Sequence, residues 1–453
     1  MPPAVDLVVG YKSRYLIVTE LLRTQEPNSE SASVASSRIF TLLTLFTLTL
    51  LASPFELRAQ DAGNTTDSAP VIPTAPTSVE GTLEELEAAR EAEFDFPAID
   101  NALKPWLDWK ARLAERYGFN LGFDYSFNTQ WSDNSVGDTH ATGGIFRAFF
   151  SWDLLNRHDP SRKGTLDFRA ENRHRISTAL PPEALAANFG WVGTSAPDWS
   201  NQQWGITVLK WRQRLDAGDA PIEVNVGYMS AFSQFDITPY SDNLTSFQNN
   251  SIILNPTIGY PSAGSFGISG YIGIPRTNFY VLGMVMDANG QYDSLSFDTL
   301  DDGDYFKALE FGWTDQSVSD ASFLFNNVHV ALWHTDDDNY GVGLTGSYTF
   351  ENSRIGTFAR LAWANEDAST PYQRYAAAGI TKGVFRASEV GLGASWGRPP
   401  NSDEDQVAVE AFYRWQGAQN FAITPSIQYL DNPAFNSSDG AVTVLGLRAR
   451  LTF

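Results

Sequence analysis

Cysteine is absent from all 453 residues. That excludes a disulfide framework, a thiolate metal site and a cysteine nucleophile. Positive charge is scarce: 31 Lys and Arg stand against 53 Asp and Glu, a formal net charge of −22. Nucleic acid is therefore not an expected partner, because binding phosphate needs a basic surface. Histidine is sparse as well, and the five residues (140, 158, 174, 329 and 334) show no metal-ligand spacing. No metal and no cofactor is expected. Continuous hydrophobicity is nearly missing; the single apolar run, Ile39 to Leu51, is too short to span a bilayer comfortably as a helix.

That run follows Arg38 and is followed by Leu57-Arg58-Ala59. It reads as the h-region of a secretory signal with cleavage after Ala59, so residues 1–59 form a leader. Residues 1–37 do not fit the short basic start of a signal peptide. Either the true start lies downstream or the leader is unusually long. Met229 is the next methionine after Met1, so a shorter start needs an alternative codon such as that of Val34. Residues 60–104 read as a flexible and helical periplasmic leader: a stretch rich in Pro, Thr and Ala, then the acidic helix pattern Leu83 to Glu93, taken as a solvated helix or linker. Pro105 to Arg112 begins a further short helix that ends near Gly118, placed to pack near or plug the periplasmic mouth.

Aromatic residues are plentiful, with 13 Trp, 17 Tyr and 30 Phe. From Gly118 onward they fall into alternation. Phe119, Leu121, Phe123, Tyr125 and Phe127 alternate with Asn120, Gly122, Asp124, Ser126 and Asn128. Comparable runs of about ten residues recur to the end of the chain, with separators such as Asp159-Pro160, Ala217-Gly218-Asp219 and Pro399-Pro400-Asn401. The last run is Val442 to Phe453, VTVLGLRARLTF. It sets Leu445, Leu447, Ala449, Leu451 and Phe453 on one face and Gly446, Arg448, Arg450 and Thr452 on the other. About sixteen such strands, an even number, predict an all-β chain: a single transmembrane antiparallel barrel over residues 105–453, with short N-terminal helical segments.

Charge assigns the faces. Leu166, Phe168 and Ala170 point one way; Asp167, Arg169, Glu171, Arg173 and Arg175 point the other. Five charges against lipid would be prohibitive at mid-depth, so they line the lumen. In the next strand Leu209, Trp211 and Leu215 take the lipid side and leave Lys210, Arg212 and Arg214 inside. Later strands add Glu223, Asn225, Arg360, Glu410, Arg414, Arg448 and Arg450. Guanidinium groups donate and carboxylates accept, so a mixed wall can replace the hydration of a sugar hydroxyl, which does both. For any one residue the plainer reading is pairing with a neighbour to keep the lumen wet. The ladder as a whole reads as a selectivity device.

Two catalytic patterns occur. Gly341-Val342-Gly343-Leu344-Thr345-Gly346 matches GxGxxG, but inside an alternating strand rather than at a strand–turn–helix, so its glycines read as small lumen-side residues. Gly393-Ala394-Ser395-Trp396-Gly397 matches GxSxG. It too is a strand, and no His follows the serine as that hydrolase order requires. Asp301-Asp302-Gly303-Asp304 and Asp336 to Asp338 lack the ordered spacing of a calcium loop and read as solvated charge.

The closing segment VEAFYRWQ, ITPSIQYLDNP and VLGLRARLTF resembles the carboxy-terminal signature of the OprB-type carbohydrate-selective porins. VNVGYMSAFSQFD, FQNNSIILNP and NFYVLGMVMDANG, with WLDWKARLAERYGFNLGFDY near the start, resemble the same family in the same order. Tyr228 departs from it, standing where lysine follows the glycine in many members, and residues 180–200 are not matched. The resemblance implies a sixteen-stranded barrel and passive uptake with a preference for neutral sugars. The expected function is sugar-selective diffusion across a bacterial outer membrane, with small sugars and outer-membrane lipid as partners, as a homotrimer or a monomer. The alternatives are an anion-selective, phosphate-selective or general porin and, more remotely, a barrel lipase using Ser395.

Overall fold

A computed structural model describes residues 75–453 apart from 88–90, 262–263, 293–294, 296, 316–325, 401, 403 and 437–439. The expected signal peptide and its cleavage site lie outside the described residues.

Sixteen strands form: β1 Phe119–Ser132, β2 His140–Leu155, β3 Gly164–Arg175, β4 Gln203–Arg214, β5 Ile222–Met229, β6 Ser265–Gly273, β7 Phe279–Asp287 and β8 Tyr305–Thr314, then β9 Asn327–Thr335, β10 Tyr340–Phe350, β11 Ile355–Ala364, β12 Arg374–Val384, β13 Ser388–Arg398, β14 Gln406–Ala418, β15 Phe421–Asp431 and β16 Ala441–Thr452. Each pairs antiparallel with its chain neighbours. β1 also pairs with β16, with Tyr125 opposite Leu451 and Thr129 opposite Leu447, so the barrel is closed. Closure leaves no unpaired sheet edge, which a strand surrounded by lipid could not tolerate.

The period-2 pattern decides which side each residue takes. In β16, Leu445 is 52% exposed and Leu447 38%, whereas Arg448 is 1% exposed. Val226, Ile268, Leu309, Phe311, Leu332 and Leu392 extend the outward apolar surface around the barrel. The seven connections at the end that carries the C-terminus are mostly short, as with 385–387 and 419–420. Two connections at the opposite end are long, residues 176–202 and 230–264, and fold back into the lumen.

Two helices precede β1. α1 (Val79–Glu87) lies inside the barrel, where Val79 and Leu83 pack on the inward residues Phe149 of β2 and Val208 of β4. α2 (Pro97–Tyr117) lies outside: Trp106 contacts the outward Phe123 with ring centroids 6.1 Å apart, and Lys110 Nζ reaches the Phe453 carbonyl at 3.5 Å. Between them the chain runs along the rim at β14, where the amides of Glu93 and Phe94 donate to the carbonyls of Gln416 and Gly417. α2 stops at Gly118, whose φ of +66° suits glycine and lets its N–H cap the Ala114 carbonyl before β1 begins. This corrects two expectations. The acidic helix does not stand free but buries one face on the inner wall, with Glu84 and Glu87 still exposed, and the helix after Pro105 does not plug the mouth but packs on the outer wall. Composition could not separate these cases, because the inner wall α1 meets is itself charged.

Candidate functional site: the inner wall and its loops

The loop 230–264 is fastened across the lumen by inward side chains of later strands. At Asp236, whose φ is +51°, one carboxylate oxygen pairs with His329 Nε2 at 2.9 Å and accepts from Thr345 at 2.6 Å. The other accepts from Asn255 at 2.7 Å. The Asp236 amide donates to Glu310, which also accepts from the Tyr280 hydroxyl. Arg360 donates to the carbonyls of Ile253 and Asp236 at 2.8 and 2.9 Å. Arg448 donates to those of Asn243 and Ser246. Glu410 accepts from the amides of Gln248 and Asn249 at 2.8 Å each. Phe247, Ile252 and Ile253 pack on Phe358, Tyr375 and Phe412 of the wall.

Two glycines make room for this loop. A Cβ on Gly343 would stand 2.9 Å from Asn255 Nδ2, and one on Gly393 would stand 2.9 Å from Phe247. Gly341 and Gly343 of the GxGxxG pattern are lumen-side, as the alternation predicts; Gly346 falls on the outward parity and corrects that expectation. The Ser395 hydroxyl lies 2.6 Å from that of Ser251 in the loop, both buried, so it is engaged in holding the loop.

The second group lies on β3, β4 and β5. Glu171 takes Arg169 on one side at 2.9 Å and Arg173 on the other at 2.7 Å. Arg173 also meets Asp198 of the loop 176–202 at 3.0 Å and covers the Tyr292 ring, its Cζ 4.7 Å from the centroid. Arg212 pairs with Asp167 at 2.9 Å and lies 4.0 Å from Glu223, which accepts from Asn225. Lys210 and Arg212 stand 3.6 and 3.7 Å from Glu80 of α1.

The structure thus divides the residues singled out from the sequence. Arg169, Glu171, Arg173, Lys210, Arg212, Glu223 and Asn225 share one wall. Arg360, Glu410 and Arg448 hold the loop 230–264. The remaining three lie apart from both groups. Arg175 is exposed and donates to the carbonyls of Thr178 and Ala179, because β3 ends there and its side chain turns back over the following loop. Arg214 pairs with Asp216 in the turn after β4, and Arg414 donates to Gln416 near the end of β14.

Sequence reasoning placed Arg450 on the lumen side but did not assemble the third group to which it belongs. Arg147 donates to Asp124 at 2.9 Å; Arg450 meets Asp124 at 2.9 Å and Glu85 of α1 at 2.8 Å. Asp124 and Arg147 occupy inward parities of β1 and β2, so alternation carried their signal. Nothing in the sequence marked Glu80 and Glu85.

Among the described residues no group of three His, Asp or Glu is disposed to hold a metal, and no helix is long and apolar enough to cross a membrane.

The family model described as "Carbohydrate-selective porin, OprB family" matches residues 286–453. The match is to that stretch alone. It runs from the end of β7 through β16 and includes the closing segment on which the resemblance was read. A solved structure of OprB from Pseudomonas putida at high pH superposes with a TM-score of 0.58 at 14% identity, over 77% of this chain and 97% of that one. The same protein at low pH gives 0.46 at 12% identity, over 81% and 100%. A mutant of the Rhodopseudomonas blastica porin gives 0.49 at 11% identity, over 74% and 100%. At such identity the likeness to OprB at high pH is one of fold: a closed sixteen-stranded porin barrel. No curated protein matches the sequence.

Proposed function

We propose that this protein is an outer-membrane porin for passive, sugar-selective diffusion. The OprB-family match and the porin fold support a carbohydrate-selective channel. Short turns at one end of the barrel and long loops at the other support a periplasmic position for the first and an outward one for the second. The observation that carries sugar selectivity is the wall of β3 to β5, where guanidinium and carboxylate groups alternate within hydrogen-bond reach of one another. A hydroxyl can exchange into such pairs as donor and acceptor at once, which a wall of one charge sign does not offer.

Transport is passive in this reading, and the side chains act by replacing water around the solute while the fastened loop 230–264 narrows its path. Liposome swelling with purified, refolded protein and a panel of neutral sugars tests the proposal. Swelling rates that separate sugars of equal size support selectivity; rates that follow size alone would indicate a general porin. If chloride or phosphate passes and glucose never blocks its current, the anion-porin reading takes its place.

A further inference from the structure

We infer that α1 is part of the conducting pore and that Glu80 and Glu85 determine its ion selectivity. The inference rests on the channel reading above, and the observations are its own. α1 is seated on a built surface. Val79 and Leu83 bury against Phe149 and Val208, an apolar patch on the inner side of a barrel whose neighbouring inward residues are charged. Gly122 of β1 shapes the same seat: a Cβ there would come within 2.5 Å of Leu86 Cδ1 and 3.1 Å of Leu83 Cδ2. Next to the seat, the Thr77 carbonyl accepts from Arg169 Nη1 at 3.0 Å.

Charge completes the fit. The wall around α1 presents six cations: Arg147, Arg169, Arg173, Lys210, Arg212 and Arg450. The carboxylates of the same wall are four: Asp124, Asp167, Glu171 and Glu223. Each of these ten side chains is buried except Arg212, which is partly so. Glu85 accepts two N–H bonds from Arg450 at 2.8 and 2.9 Å, and Glu80 lies between Lys210 and Arg212. α1 carries four glutamates, and Glu80 and Glu85 are the two placed against these cations; Asp198 adds negative charge on the same side through Arg173. Removing their charges leaves Lys210, Arg212 and Arg450 less compensated at low dielectric and makes the wall more attractive to anions. The selectivity of the lumen is set in part by a segment that is not a strand of the barrel.

The test is planar-bilayer recording in KCl gradients without sugar, on the full chain. Glu80→Gln with Glu85→Gln keeps the shape of both side chains and removes both charges. The reversal potential is expected to shift toward chloride, with the Cl⁻/K⁺ permeability ratio rising severalfold. Glu115→Gln, on the exposed side of α2, is expected to leave it unchanged. An unshifted reversal potential in the double variant overturns the inference.

A second arm fixes the segment in place. The chain has no cysteine, so Leu86→Cys with Gly122→Cys creates the single possible disulfide. The oxidised form is expected to conduct with wild-type amplitude and selectivity before and after reductant. A low conductance that reductant restores means that α1 leaves the lumen in the open channel, which overturns the inference while leaving the porin reading intact. A barrel that passes no ions in any form removes the porin reading and this one with it.

Discussion

Arg450 and Glu85 face each other through two N–H···O bonds of 2.8 and 2.9 Å, although 365 residues separate them. Arg450 lies on the last strand and Glu85 on the first helix. The same guanidinium meets Asp124 of the first strand, which in turn holds Arg147 of the second. One largely buried cluster therefore ties α1 to β1, β2 and β16 at the seam where the barrel closes. Its worth is conditional: a buried charge is tolerated while its partners stay and becomes costly once one is removed.

Asp124→Ala is expected to destabilise the barrel by roughly 3 kcal/mol, because Arg147 loses its carboxylate and faces Arg450 across the gap. Adding Arg147→Leu should recover part of the loss, since the stranded charge is gone. Equilibrium unfolding in urea of protein refolded into lipid vesicles measures both, and equal stability of the single and double variants would contradict the account.

Leu447 and Arg448 are adjacent and point to opposite sides of β16. Leu447→Arg should destabilise by about 2–4 kcal/mol if it sits near the bilayer midplane. Arg448→Leu should leave the barrel folded but release the carbonyls of Asn243 and Ser246. Its signature is protease cleavage within 230–264 at unchanged heat-modifiable mobility on a gel. Similar loss of fold in both would mean that the register is off by one residue.

Glu410 and Arg360 fasten the loop 230–264 at different points, one through amides and the other through carbonyls. Glu410→Ala and Arg360→Ala are each expected to raise single-channel conductance and current noise, because a loosened loop widens and fluctuates. Unchanged conductance in both would place the narrow region elsewhere.

Arg169→Ala with Arg173→Ala removes the two guanidinium groups paired with Glu171 and leaves it the Thr207 hydroxyl. Glucose block of the current is expected to weaken and anion preference to fall. Glu171→Gln should raise anion preference. Planar-bilayer recording separates the three forms, and unchanged block and ion preference in the double variant would take these residues out of the sugar path.

Glu93 supplies a pH dependence at the rim that carries the C-terminus. Its carboxylate accepts from the Ser388 hydroxyl at 2.6 Å and from the amides of Ala387 and Ser388 at 2.9 Å each. Bonds from Ser388 and then Ala387 hold its carboxyl below the usual glutamate range. A depressed folded value means that this clasp is complete above the ordinary glutamate pKa and is lost as pH falls through the lower, folded one. Hydrogen exchange at Glu93 and Phe94, corrected for intrinsic rates, should therefore show protection at pH 7 that fades in acid. Glu93→Gln should remove most of that pH dependence.

The strands were legible because alternation reports fold and facing at once. A residue such as Arg448 cannot be turned outward without turning Leu447 inward. β5 ends at Met229 because the chain turns there into a short helical segment, Ala231–Ser233. What alternation does not carry is the identity of a partner. Arg360 and Arg448 were read as lining and are inward, yet they are engaged with backbone carbonyls of a loop that has no period of its own. Glu171 could be paired with Arg169 and Arg173 on paper, since all three lie on one strand face about 7 Å apart in steps of two. Glu80 could not be paired with Lys210, because an acidic amphipathic turn reads the same whether water or a basic wall surrounds it.

The fastening of the loop 230–264 also fixes an order of assembly. Its anchors arrive late in the chain: Arg360 lies 124 residues beyond the Asp236 carbonyl it holds, Glu410 162 beyond Gln248, and Arg448 205 beyond Asn243. Contacts so distant in sequence form slowly, because a long stretch of chain must be ordered before they are gained. The fastening of the loop is therefore a late event, although closure of the barrel, with Tyr125 opposite Leu451, spans a still longer separation. It requires β16 in place, and a barrel truncated before Arg448 would hold an unfinished passage even if its remaining strands paired correctly.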